Sequence, residues 1–246
     1  MLLSFVVPAY NEELYLPACL ESILAQTRGL EDHVEILVVN NASTDRTREV
    51  ALQYPGVRVI DEPRKGLPFA RQAGFLASTG TLTAHVDSDS RLTPGWVQTV
   101  LKEFREDPSL VALSGPFTYY DLAPTQAAGV RIFYLLATAT YLLNRYILRV
   151  GSMLQGGNFV VTRDALERIG GFNLGITFYG EDTDAARRLH AVGKVLFTHK
   201  LKMFSSARRL KKEGMLTMAT RYTANYISTT FLKRPVSLEH IDIRES

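Results

Sequence analysis

Blocks of apolar residues alternate with amphipathic segments along the first half of the chain. Four apolar runs, at residues 2–7, 34–39, 57–60 and 82–86, predict buried strands. Between them, apolar side chains recur every three or four positions, which is typical of helices with one buried face. Strands and helices in alternation predict a parallel sheet with right-handed crossovers. The predicted helices are the segment carrying Leu16, Leu20, Ile23 and Leu24, residues 44–54 with Ser43 as N-cap, residues 69–77, and a segment that opens at Pro94 and packs Trp96.

The second half of the chain is less regular. Residues 110–120 and 158–162 are predicted as strands, with a long apolar helix around residues 132–143 between them. A short helix at residues 164–169 ends at a glycine pair, and residues 195–199 form a late strand. The pattern contains no internal repeat and no clear linker, so one α/β domain over residues 1–246 is the simplest interpretation.

Composition and charge exclude several classes of protein. The hydrophobic content of 46% is ample for a core, and the net charge of +3 is too small to indicate a nucleic-acid partner. The single cysteine, Cys19, excludes an intrachain disulfide and fits a reducing, cytoplasmic compartment. The first apolar run is too short for a signal sequence, and no run reaches the roughly 18 apolar residues of a membrane span.

Polar loops follow all four strands of the first half. Because ligands gather at the carboxyl ends of parallel strands, we expect these loops to form one site. The fourth loop, Asp87-Ser88-Asp89, offers two carboxylates that suit Mg²⁺ or Mn²⁺ if substrate phosphates complete the octahedron. The other three loops are Pro8-Ala9-Tyr10-Asn11-Glu12, residues 40–45 from Asn40 to Asp45, and residues 64–74, which include Gly66 and Arg71.

These four loops, in this order and with Gly170-Gly171-Phe172 and Gly180-Glu181-Asp182 after them, resemble the family 2 glycosyltransferases. The resemblance implies a GT-A fold with a mostly parallel central sheet and inverting transfer of a sugar from a UDP- or GDP-type donor to an acceptor hydroxyl. It divides the chain into a nucleotide-sugar half at 1–115, an acceptor half at 116–209 and a helical tail at 210–246.

The resemblance also assigns roles to individual residues. It places Pro8, Ala9, Tyr10 and Glu12 against the nucleoside, Asp89 directly on the cation, and Asp87 on the ribose or, through water, on the metal. The family often has Asp where this chain has Asn40, so the base stays open. Asp45 either binds the nucleoside or caps local backbone, and both alternatives stand. Gly66 permits close backbone approach, while Arg71, one turn into its helix, suits a diphosphate.

Asp182 is the candidate catalytic residue. If a helix starts at Glu181, Asp182 shares one face with Ala185, Ala186 and Leu189, so its carboxylate points inward at the helix N-terminus. The resemblance assigns it the role of general base, and the alternative is an ordinary helix N-terminal acid. Gly156-Gly157-Asn158 resembles the acceptor-side loop of the family, and Glu181 is a further acceptor-side candidate. No histidine has the spacing of a further metal ligand, and His199 is a poor match.

Two apolar stretches bear on the identity of the acceptor, which the sequence does not decide. Residues 132–143 are followed by Asn144, Arg145 and Arg149, and the series Met215, Met218, Tyr222, Tyr226 and Thr229 follows the basic cluster Arg208, Arg209, Lys211 and Lys212. Both stretches would suit the inner surface of a membrane carrying a lipid-linked acceptor, and ordinary packing or a homodimer is the alternative.

Two other functions remain as alternatives to sugar transfer. A nucleotidyltransferase would need a glycine-rich loop where this chain has Tyr10-Asn11-Glu12. The second alternative is a protein that binds a sugar nucleotide or acts as a scaffold without turnover.

Overall fold

The computed structural model describes residues 2–142, 147, 153–176 and 180–232, and ten strands lie within them. Seven strands form one sheet, in the order β3-β2-β1-β4-β8-β6-β9, and three form a small second sheet, in the order β5-β10-β7. The strands are β1 Leu3–Ala9, β2 Val34–Asn40, β3 Val57–Asp61, β4 Leu82–Val86, β5 Ser90–Leu92, β6 Leu110–Ser114, β7 Phe117–Tyr119, β8 Asn158–Thr162, β9 Lys194–Phe197 and β10 Met203–Ser205.

One antiparallel strand decides where the two halves of the chain meet. Strands β3, β2, β1 and β4 are parallel, as are β6 and β9, whereas β8 runs antiparallel between β4 and β6. Val86, at the carboxyl end of β4, pairs with Asn158, at the start of β8. The residues just before β8 therefore lie at the same edge of the sheet as the loop after β4. The predicted α/β fold with a mostly parallel sheet is confirmed.

Nine α-helices lie among the described residues and cover both faces of the large sheet. Phe5 and Val7 of β1 pack against α1 and α4, whereas Val6 packs against Ala70 of α3 on the other face. A side chain on Gly74 would place its Cβ 2.3 Å from Val6, so α3 can lie this close to the sheet only with glycine there. The helices are α1 Leu16–Thr27, α2 Thr47–Leu52, α3 Leu67–Ala77, α4 Trp96–Glu106, α5 Pro124–Leu142, α6 Arg163–Arg168, α7 Glu181–His190, α8 Arg208–Glu213 and α9 Met215–Leu232.

Three local predictions are wrong. The strand predicted at residues 110–120 is split into β6 and β7, in different sheets, because Gly115-Pro116 interrupts it. Ser43 does not cap α2, which begins at Thr47; the Ser43 hydroxyl instead accepts from the backbone N–H of Asn11 at 3.2 Å. Helix α4 begins at Trp96, two residues after Pro94.

Several sequence predictions fall outside the described residues. Leu143 and the basic stretch with Asn144, Arg145 and Arg149 lie there, as do residues 233–246 of the predicted tail. Within the described part of the chain, every helix is too short or too polar to cross a bilayer.

Candidate active site

A cavity of about 790 Å³ opens at the carboxyl edge of the large sheet, with walls from both halves of the chain. One wall comes from the loops after β1, β3 and β4, and the opposite wall from the segment before β8 and the start of α7. The predicted site residues that line it are Pro8, Ala9, Tyr10, Gly66, Arg71, Asp87, Asp89, Gly156, Glu181 and Asp182.

Asp87 lies directly against the glycine pair that precedes β8. Its backbone N–H donates to the carbonyl oxygen of Gly157 at 3.3 Å. Gly157 has φ +79°, and a Cβ built on it would lie 2.1 Å from the Asp87 carboxyl carbon. A Cβ on Gly156 would lie 3.2 Å from Asp182 Oδ2 and 3.6 Å from Arg71 Nη2. The glycine pair therefore fits between the two carboxylates, where a side chain on Gly157 would collide with Asp87 and one on Gly156 would crowd Asp182.

Arg71 connects the end of β4 to the start of α7. Its side chain is almost fully buried, donates from Nη2 to Asp87 Oδ1 at 3.3 Å, and forms an ion pair with the equally buried Glu181. The guanidinium carbon also lies 5.3 Å from the centre of the Phe159 ring. Because a buried cation needs compensating charge, this cluster holds the carboxylates of both walls in fixed positions.

Asp182 is the second residue of α7, and Gly180 precedes that helix in the left-handed conformation. Its Oδ2 accepts from the Gly156 backbone N–H at 3.1 Å, and its Oδ1 accepts from the Thr183 N–H at 2.7 Å. Burial raises the pKa of the Asp182 carboxyl above its usual value, although the nearby charge of Arg71 lowers it. A raised pKa makes this carboxylate a stronger base than an exposed one.

Asp89 forms an ion pair with a positively charged side chain of the protein, Arg208. Its Oδ2 accepts from Arg208 Nε at 3.0 Å, and the same guanidinium forms an ion pair with the buried Glu12 and lies over the Tyr15 ring. The carboxylates of Asp87 and Asp89 both line the cavity, so their oxygens fit a hard divalent cation. The described residues contain no cluster of three acidic, histidine or cysteine ligands.

Five predicted site residues lie outside the cavity wall, and one of them, Gly157, lies against Asp87. Asn158, predicted as an acceptor-side residue, is fully buried: its amide donates to the carbonyls of Gly115 and Leu201 and accepts from the Trp96 indole. The other three are Glu12, which is buried with Arg208, Asn40, which donates to Asp61 at 2.9 Å, and Asp45, which accepts from the backbone N–H groups of Glu13 and Thr47.

Two residues that shape the cavity wall after β2 and β3 were not predicted from the sequence. Asn41 is buried and braces the third loop: it donates to the Arg64 carbonyl at 2.7 Å and accepts from the Gly66 N–H at 2.8 Å. Lys65 lies over the Tyr10 ring, with its amine 4.0 Å from the centre, and also donates to the Tyr10 hydroxyl. A polar residue directly after a buried strand was the available signal for Asn41; nothing local indicates the pairing of Lys65.

Comparison with known protein families identifies relatives of the chain. A family model described as Glycosyl transferase family 2 matches residues 4–170. Glycosyltransferase GlyA of Streptococcus pneumoniae serotype 4 is 29% identical over 143 residues, which are 56% of this chain and 19% of that protein. Chondroitin synthase of Pasteurella multocida is 35% identical over 116 residues, 46% of this chain and 12% of its own length. The chain thus spans less than a fifth of either relative.

Solved structures share the fold along nearly the whole chain. A mannosyltransferase from Pyrobaculum calidifontis, in complex with GDP-Man and Mn²⁺, has a TM-score of 0.68 and 22% identity, covering 94% of this chain and 63% of its own. Glucosyl-3-phosphoglycerate synthase from Mycobacterium tuberculosis, in complex with Mn²⁺ and UDP-glucose, has a TM-score of 0.61 and 21% identity, covering 93% and 78%. At these identities the similarity concerns the fold.

Proposed function

The chain belongs to glycosyl transferase family 2, and from that premise we propose that it moves a sugar from a nucleoside diphosphate sugar to an acceptor hydroxyl with inversion. The observation that carries the proposal is the convergence of Asp87, Asp89 and Asp182 on one cavity, with Arg71 and the glycine pair between the first and last. The donor's diphosphate would lie near Asp89 and the reacting hydroxyl near Asp182.

On the donor side, the chain's own groups would bind and orient the diphosphate. Asp87 and Asp89 would hold Mg²⁺ or Mn²⁺, which stabilises the negative charge that grows on the leaving diphosphate. Tyr10, held by Lys65, offers a ring for the base or ribose, and the braced loop at Gly66 permits close backbone approach. The relatives solved with GDP-Man and UDP-glucose support a nucleotide sugar of either type.

On the acceptor side, Asp182 would act as the general base. The acceptor oxygen attacks the anomeric carbon, the bond to the diphosphate oxygen breaks, and the nucleoside diphosphate leaves with the bonding electron pair. The acceptor proton passes to the Asp182 carboxylate, whose other bonds, to Gly156 and Thr183, keep it aimed at the cavity. A positioned carboxylate contributes about 10²–10⁴-fold to such a reaction.

The test uses UDP-glucose and GDP-mannose with Mn²⁺, and measures donor binding separately from release of the nucleoside diphosphate. Asp89→Asn is expected to weaken donor binding, whereas Asp182→Asn is expected to bind donor normally and lose turnover by about 10²–10⁴-fold. Asp164→Asn, which removes a carboxylate that is 80% exposed on α6, is the matched control. Undiminished turnover in Asp182→Asn would remove the proposed base, and binding without turnover in the wild type would favour a binding protein.

A further inference from the structure

The cavity that Asp182 lines is also lined by α5 and α9, and the part between these two helices is called the chamber. Helix α5 contributes Val130, Phe133 and Ala137 to its wall, at spacings of three and four residues that put them on one side of the helix. Helix α9 contributes a matching stripe from the opposite side. That stripe includes Met215, Met218, Ala219 and Tyr222.

The chamber wall suits an apolar chain better than a saccharide. The Val, Met and Ala side chains along both stripes have no group that donates hydrogen bonds to sugar hydroxyls. Two polar side chains nearby are already engaged within the protein: Tyr134 accepts from the Phe117 N–H and donates to Gln155, and the Asn225 amide donates to the Arg221 carbonyl. Apart from the hydroxyl groups of Thr140, Tyr222, Thr223 and Tyr226, the chamber offers a polar ligand few partners to replace the water that it would lose.

The outer side of α5 adds an independent observation. Ile132, Leu135 and Leu142 are 59%, 65% and 46% exposed, and of the α5 side chains Tyr134 and Tyr141 are the buried ones. One helix thus offers apolar side chains both to the chamber and to the solvent. Such a helix is suited to the surface of a bilayer, from which a lipid could enter the chamber sideways.

We propose that the acceptor is an amphiphilic lipid, whose hydroxyl-bearing head reaches Asp182 while its apolar chain lies between α5 and α9. The assignment rests on the proposed function, because Asp182 takes the proton of the acceptor hydroxyl. The head must lie beside Asp182 for the oxygen to reach the anomeric carbon, so the rest of the acceptor occupies the space that continues from there. The described walls of that space are chiefly apolar.

A chain-length series measures the proposed site without any variant. Calorimetry with butyl, hexyl and octyl β-glucoside, each below its micellar concentration, is expected to show affinity rising about three- to fourfold per added methylene. Maltohexaose, a soluble saccharide that has no apolar chain, is expected to bind more weakly than octyl glucoside. Equal affinities along the series, or tighter binding of maltohexaose, would overturn the assignment.

Paired variants locate the chain between the two helices. Ala137→Trp and Ala219→Trp fill the chamber and are expected to lower octyl glucoside affinity at least tenfold, with butyl glucoside affected much less. Ala139→Trp and Ala224→Trp add the same ring at exposed positions outside the chamber wall on the same helices, and are expected to bind like the wild type. Thermal unfolding verifies that each variant folds. If a variant on one helix does not fold, the chamber and control variants on the other helix still decide the question. Equal losses in the chamber and control variants would contradict the proposed location.

Donor measurements separate failure of this inference from failure of the proposed function. Binding and slow hydrolysis of UDP-glucose or GDP-mannose involve the donor side and do not require the chamber. If the protein hydrolyses the donor but its affinity for alkyl glucosides does not depend on chain length, the lipid acceptor is overturned and sugar transfer is not. Absence of any nucleotide-sugar binding would overturn the proposed function, and with it the identification of the chamber ligand as an acceptor.

Discussion

Arg208 donates from Nε to Asp89 Oδ2 at 3.0 Å, although the two residues lie 119 positions apart in the chain. The guanidinium also pairs with Glu12, so one protein cation is shared by two carboxylates beside the cavity. Any divalent cation that binds Asp89 must compete with this charge. Arg208 is therefore positioned to weaken metal binding in the donor-free protein, and to lie beside a diphosphate once one is bound.

Arg208→Gln is expected to bind Mn²⁺ more tightly than the wild type in the absence of donor. A divalent cation and a unit positive charge about 4 Å apart repel by about 8 kcal/mol at an effective dielectric constant of 20. Solvent screening at this partly exposed site reduces the effect, so we expect roughly tenfold, or about 1.4 kcal/mol. Electron paramagnetic resonance of free Mn²⁺ measures the affinity directly. Lys212→Gln, which removes an exposed cation from the same helix, is the control, and equal shifts in both variants would point to net charge instead.

Gly157→Ala is expected to displace Asp87 and to lower turnover by about 10²-fold, the effect of misplacing a reacting group by about 1 Å. The new Cβ would lie 2.1 Å from the Asp87 carboxyl carbon at a residue with φ +79°. Gly170→Ala is the matched control, because Gly170 has φ +76° and no atom within 4 Å of its Cβ position. Both variants carry the same backbone strain of about 1–2 kcal/mol. Their difference in turnover and in donor affinity isolates the collision, and equal losses would contradict this explanation.

Glu181→Gln is expected to destabilise the protein by about 3 kcal/mol, because it leaves the buried Arg71 with less compensating charge. For a chain of this size that corresponds to a fall of about 6–12 °C in melting temperature. Glu106→Gln breaks an exposed pair with Lys102, in which the side chains are 65% and 63% exposed, and should change stability by less than about 0.5 kcal/mol. Equal melting temperatures of the two variants would contradict this prediction and would mean that Asp87 and Asp182 by themselves balance the charge of Arg71.

The sequence predicted the first half of the fold well because each element there is locally specified. Strands β1 to β4 are short apolar runs with polar loops at their carboxyl ends, so both the strands and the position of Asp87 and Asp89 follow from the pattern. The position of Asp182 at the start of a helix also follows from a local pattern, the periodicity of the residues after it in α7.

The remaining features depend on contacts between distant segments. Strands β5 and β10 are three residues long, too short for a periodic signal, and exist because they pair with each other. Arg208 stood out only as part of a basic cluster, and nothing local connects it to Asp89. Asn158 follows two glycines in a site-like motif, but tertiary packing turns its amide toward Trp96 and the interior.

Turnover is expected to fall as the pH drops through the pKa of Asp182. Burial disfavours the carboxylate and raises this pKa above its usual 3.8, while the charge of Arg71 and the bonds from Thr183 and Gly156 oppose that shift. A base works only when deprotonated, so the acid limb of kcat/KM, which reports the free enzyme, should lie above pH 3.8 and disappear in Asp182→Asn, whose small residual rate should not follow this limb. Donor affinity measured over the same range shows whether protonation of the metal carboxylates contributes.

The stability of the fold provides a second measurement on Asp182, because acidification should improve stability where it lowers turnover. Because the folded-state pKa is raised, the ionised Asp182 is a cost to the fold at neutral pH, and that cost disappears as the carboxyl becomes protonated on acidification. Asp182→Asn should therefore melt at or above the wild-type temperature at pH 7, and the difference should shrink as the pH falls. A catalytic base held at the expense of stability gives both results together: lost turnover and a fold at least as stable. Lost turnover with a lower melting temperature would instead mean that Asp182 supports the structure of the cavity wall.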